Sequence, residues 1–97
     1  MQTRATDRRD APRLDINLPM RFRAEHWGEY EQAILVNRSR NGLSFFTKRP
    51  LPVGTWVNIV IDVADADIET LELRALIIRV ESAHRSGFKY ACRIEAD

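Results

Sequence analysis

Arginine is the residue type with most chemical reach in this chain of 97 residues, supplying thirteen basic side chains against two lysines. A guanidinium forks onto phosphate or onto a guanine edge and stacks on flat rings, whereas an ammonium acts as a point charge. A G+C-rich genome would explain the excess but not its placement. The net charge is only +1, yet residues 36–49 carry Arg38, Arg40, Lys48 and Arg49 with no acid. Residues 62–72 carry Asp62, Asp65, Asp67, Glu69 and Glu72 with no base. The first candidate site is Arg8-Arg9-Asp10-Ala11-Pro12-Arg13. On a helix Arg9 and Arg13 would share a face at i and i+4, but Pro12 pushes Ala11 toward extended geometry. The segment therefore reads as a mobile arm that could fold over a ligand and grip it at two points. Taken alone it reads as a solvated charged tail.

The second candidate is Asn37-x-Ser39-x-x-Gly42. Asn37 can cap the backbone two residues on, Ser39 offers a hydroxyl, and Gly42 permits positive φ or close ligand approach. Such a turn points successive N–H groups inward and makes an anion-binding concavity. In isolation it reads as a plain hairpin turn, and one turn can serve both ends.

Other chemistries find little support. His26 and His84 fall in predicted turns, and no Ser/His/Asp or Cys/His set suggests a triad. Two histidines and one cysteine are too few for a usual structural zinc site. Asp65 and Asp67 sit in an acidic loop with nothing to shift their pKa values. The expectation is no enzyme, no metal and no cofactor. Cys92 alternates with Tyr90 and Ile94 and reads as a small buried hydrophobe. A lone cysteine excludes an internal disulfide and fits a reducing cytosol. The N-terminal MQTRATDRRD shows no hydrophobic signal region, and apolar runs of four or five residues are far short of the roughly 20 needed to span a bilayer. A cytoplasmic binding module without membrane insertion is expected.

The elements that must position these residues are strands. From Leu14 to Ala24, apolar Leu14, Ile16, Leu18, Met20, Phe22 and Ala24 alternate with Asp15, Asn17, Pro19, Arg21 and Arg23, a period of two with one buried face. Pro19 on the wet face suggests an edge or a bend. Strands are also predicted over Tyr30–Val36, Leu43–Thr47, Thr55–Val63, Leu71–Val80 and Phe88–Ile94. Asn41-Gly42 gives a hairpin signal because both residues tolerate positive φ. Arg49–Gly54 and Ser82–Gly87 punctuate later turns, and 64–70 could hold a helical turn. Six short strands at near-regular spacing argue for an antiparallel barrel or sandwich in one domain. Trp56, Phe22, Phe45, Phe88 and Tyr90 read as core or barrel rim.

Arg9-x-x-x-Arg13 before the first strand and Asn37-x-Ser39-x-x-Gly42 after the second together resemble the PilZ domain family. RRDAPR resembles the family's opening, LVNRSRNGLSF its central turn and LPVGTWVNIVI its Pro-Gly-led fourth strand, so that the resemblance covers about residue 8 to residue 95. It implies an all-β, six-stranded antiparallel Greek-key barrel over residues 14–97, led by a flexible arm over residues 1–13. It also implies a bacterial receptor for cyclic di-GMP that passes its signal to a downstream protein, with no DNA or RNA partner. Arg9 and Arg13 would hold guanine edges and phosphate, with Asn37, Ser39 and Gly42 as the opposing wall. Arg8 would accompany a stacked pair of ligand molecules. Arg38 and Arg40 would add positive potential, and Arg79 stands where relatives carry an aromatic or basic residue near the ligand. Ala75 and Ala91 depart from the glycine common in relatives, and the C-terminal helix of many relatives has little or no counterpart after Ile94. A small barrel for single-stranded nucleic acid would need a basic groove with exposed aromatics, which the net charge disfavours. The family's other mode is a protein-interaction adaptor that binds no nucleotide.

Overall fold

In the computed structural model, which describes residues 14–62 and 70–95, the strands are β1 (Leu14–Ala24), β2 (Glu31–Arg38), β3 (Gly42–Thr47), β4 (Trp56–Asp62), β5 (Thr70–His84) and β6 (Gly87–Ile94). They close into an antiparallel barrel in the order β1-β2-β3-β6-β5-β4. Closure pairs every strand on both sides, the arrangement that removes exposed edges. The interior is filled by the inward half of each alternating strand: Met20 and Phe22 from β1, Leu35 from β2, Leu43 and Phe45 from β3, Val57, Ile59 and Ile61 from β4, Ile77 from β5, and Tyr90 and Cys92 from β6. Phe45 packs against Phe22 at a ring separation of 4.9 Å and against Tyr90 at 5.8 Å. The Tyr90 hydroxyl accepts the Leu51 amide at 2.7 Å and donates to the Arg49 carbonyl at 3.3 Å. Those bonds lock the 48–55 connection onto the core and satisfy a buried polar tip.

Three departures from the strand pattern matter. β2 does not stop at Val36: the register slips between Leu35 and Asn37, and the strand continues with Asn37 opposite Ser44 and Arg38 opposite Leu43. Asn37 is therefore a strand residue next to a bulge, and the turn shrinks to residues 39–41. β5 runs on to His84 rather than ending at Val80, because register slips at Ile77/Arg79 and Val80/Ser82 break the period of two without ending the pairing. His84 is thus a strand end, and the turn is Arg85-Ser86. Pro19 sits where β1 is paired on one side only: it opposes Ile34 of β2 but lies just beyond the β1–β4 pairing, which begins at Met20, and beside a β1 bulge between Asp15 and Leu18.

Gly87 makes the β5–β6 turn possible. Its φ of +149° is disfavoured for L side chains, and a Cβ there would meet the Phe46 ring at 2.6 Å. The acidic stretch with Asp65 and Asp67 and its expected helical turn lie outside the described residues.

Candidate functional site

The bulge at Val36 determines where Asn37 points. Phe45 and Leu43 face the core, so Ser44 between them faces out. Directly opposed residues of an antiparallel pair share a face. Asn37 opposes Ser44, Ser44 opposes Ala91, and Ala91 opposes Arg79. Asn37, Ser44, Ala91 and Arg79 thus form one outward row across β2, β3, β6 and β5. Beside it runs Gly42, opposite Arg93. Gly42, Ser44 and Ala91 give the face a floor of small side chains, with arginines at the β5 and β6 positions.

Asn37 is the notable member. It is 7% exposed, and its side chain makes no hydrogen bond to a described residue. A buried carboxamide carries a substantial desolvation penalty unless a partner satisfies it. The expected cap from Asn37 to the backbone does not form, because the Ser39 amide donates instead to the Gly42 carbonyl at 2.9 Å. That bond also withdraws one amide from the proposed anion concavity. The Ser39 hydroxyl stands 3.5 Å from the same carbonyl, at the outer limit of a hydrogen bond.

Gly42 has no positive φ. Its requirement is close approach: a Cβ would meet the Cys92 carbonyl oxygen at 2.8 Å. The glycine that looked like turn chemistry is there so that β3 and β6 can lie tightly together. The β6 end is also fastened to the turn, the Ile94 amide donating to the Asn41 carbonyl at 2.9 Å.

Among the other expected site residues, Arg38 opposes inward-facing Leu43 and so lies on the opposite strand face from Asn37. Arg40 is exposed in the turn. Arg79 ends the outer row, its Nη2 2.8 Å from Glu81 Oε2. Arg8, Arg9 and Arg13 lie outside the described residues.

The sequence reading missed Ser44, Glu81 and Lys89. The Ser44 hydroxyl donates to Glu81 Oε1 at 3.1 Å, and Lys89 Nζ lies 3.5 Å from the same oxygen. Burial pushes the Glu81 carboxyl up, but the Ser44 hydroxyl, Lys89 and Arg79 outweigh it and hold it below the ordinary glutamate value. Alternation could have found Ser44, since it stands between two inward apolar residues and two positions past Gly42. The next outward row, Pro19–Ile34–Phe46–Lys89, borders a groove of about 590 Å³ lined by Asn17, Gln32 and Thr47 among others. No group of histidine, cysteine, aspartate or glutamate able to hold a metal ion occurs among the described residues. The described residues hold no helix long and apolar enough to cross a membrane.

Compared with known protein families, the sequence matches the PilZ domain over residues 7–97. The chain belongs to the PilZ domain family. Solved structures that share this barrel fold include the following two. The Bacillus subtilis inhibitor of motility MotI/DgrA matches with a TM-score of 0.72 at 17% identity, over 99% of this chain and 48% of its own. The K. pneumonia MrkH–c-di-GMP complex matches with a TM-score of 0.69 at 17% identity, over 93% of this chain and 44% of its own. At that identity the likeness is one of fold, and this PilZ chain spans about half the length of either. No curated protein matches the sequence.

Proposed function

We propose that this PilZ domain is a receptor for cyclic di-GMP, seated on the outward row and closed from the other side by the arginines of residues 8–13. The observation that carries the reading is Asn37: a carboxamide nine-tenths buried, without a partner among the described residues, in line with Ser44, Ala91 and Arg79. The ligand has two phosphodiesters and two guanines, so it offers two negative charges, O6/N7 acceptor edges and flat faces. Glycine, serine and alanine keep that part of the row free of bulky side chains. Arg9 and Arg13 supply forks for O6/N7 and phosphate. Asn37 and Ser39 hydrogen-bond from the barrel wall, Gly42 keeps that wall low, and Arg79 adds a cation at its end. Arg38 and Arg40 contribute potential rather than contact, and Arg8 accommodates a second, stacked ligand molecule. MrkH, part of which shares this fold, is seen in complex with c-di-GMP.

In this reading residues 1–13 are the ligand-gripping arm and residues 14–97 the barrel. The liganded surface is read by a downstream protein in the bacterial cytoplasm. Each good bidentate contact is worth about 1–3 kcal/mol. Several of them reach the roughly 8 kcal/mol of a micromolar complex after association costs.

Titration calorimetry of the purified chain with cyclic di-GMP tests this. Heat at tens of micromolar protein is expected, lost in Arg9→Ala and Arg13→Ala, and reduced less by Ser39→Ala. No heat from the folded wild-type chain overturns the reading and leaves an adaptor that binds no nucleotide.

A further inference from the structure

Glu81 occupies a position that the strand pattern would not provide. It lies in the second β5 bulge, between Val80 opposite Tyr90 and Ser82 opposite Lys89. From there its carboxylate reaches both outward rows, taking the Ser44 hydroxyl at 3.1 Å, Arg79 Nη2 at 2.8 Å and Lys89 Nζ at 3.5 Å. The two ends of the Glu81–Arg79 pair differ in setting. The Glu81 side chain is 17% exposed and fixed by donors from two other strands, whereas the Arg79 side chain is 61% exposed. The bond engages Nη2 and leaves Nε and Nη1 without an acceptor among the described residues.

We propose that Glu81, anchored by Ser44 and Lys89, is a positioning residue that holds the Arg79 guanidinium at the end of the Asn37–Ser44–Ala91 row, where it meets the anionic ligand. This rests on that row being the ligand's seat. A free arginine side chain samples many rotamers and loses that freedom when a ligand fixes it, which weakens binding. A tethered one has already lost it. The carboxylate's own charge opposes an anion, but Arg79 and Lys89 leave the cluster at +1. Surface ion pairs of this kind add little to stability, so the pair's consequence lies in orientation.

A double-mutant cycle on cyclic di-GMP affinity, with wild type, Glu81→Ala, Arg79→Ala and the double variant, separates the roles. Arg79→Ala is expected to weaken binding about 10-fold, the loss of one charge-assisted contact. Glu81→Ala should weaken it about 3-fold in the wild-type background and leave affinity unchanged in the Arg79→Ala background. Ser44→Ala, which removes the anchor and keeps the carboxylate, should give a smaller loss with the same dependence on Arg79, and it serves alone if Glu81→Ala fails to fold. Equal losses in both backgrounds, or unchanged or tighter binding by Glu81→Ala, overturn the proposal while the ligand site stands. A wild-type chain that binds no cyclic di-GMP overturns this proposal and the site reading together.

Discussion

β3 shows two design problems side by side. Leu43 and Phe45 face the barrel interior, where the requirement is to fill volume with apolar atoms. Gly42 and Ser44 face outward, where the requirement is to leave room and offer polar atoms. The inward pair fits any closed barrel of this size. The outward pair fits a particular surface: Gly42 because the Cys92 carbonyl stands 2.8 Å from where a Cβ would be, Ser44 because it holds Glu81. Inner residues are interchangeable in kind, and outer ones are tied to named partners on other strands. In this small barrel the position-specific contacts are therefore concentrated on the outward face.

That contrast can be broken in order of expected effect. Phe45→Ala should cost about 3–5 kcal/mol in urea unfolding, since it empties a fully buried site between two rings. A loss under 1 kcal/mol would mean the core is not close-packed there. Gly42→Ala should cost about 1–3 kcal/mol, as overpacking does, because the obstacle is backbone and cannot rotate away. Ser44→Ala should cost only about 1 kcal/mol, by removing a donor from Glu81.

The same substitution should alter the acid limb of stability. The Glu81 carboxyl lies below its usual value when folded, so its contribution is full at neutral pH and is lost as the pH falls through the folded pKa. In Ser44→Ala the folded value rises toward the unfolded one and that part of the pH dependence flattens. Unfolding at a series of pH values between about 3 and 6 reads it. Arg40→Ala, exposed in the turn, should stay within about 0.5 kcal/mol. Cys92 offers a check on the inner face: burial, with the nearby Glu81 charge, pushes its thiol up to about 12. Iodoacetamide should therefore leave the folded chain unlabelled at pH 8 and label it in urea.

Much of the barrel was legible because alternation is a local signal. β1 reads by alternation from Leu18 to Ala24, past its own bulge between Asp15 and Leu18, and the inward places of Phe22, Phe45 and Tyr90 follow from period two. The bulges were not legible. One extra residue at Val36 turns Asn37 from a loop residue into a buried strand residue, and two more in β5 carry that strand to His84 and bring Glu81 to Ser44. Each bulge is set by pairing with a distant strand. Gly42 does not need the positive φ that turn rules suggest; the constraint visible in the barrel comes from Cys92, fifty residues away and invisible to those rules. Strand register separates neighbours that sequence adjacency joins: Asn37 opposes outward Ser44, whereas Arg38 opposes inward Leu43 and lies on the other face.

The most direct measurement is an amide-shift titration of the ¹⁵N-labelled chain with cyclic di-GMP. The account predicts saturable shifts at Ser39, Gly42, Ser44, Ala91 and Arg79, with Arg85 to Gly87 at the far turn unmoved. Shifts confined to Ile34, Phe46 and Thr47 along the apolar groove, or none at all, would contradict it.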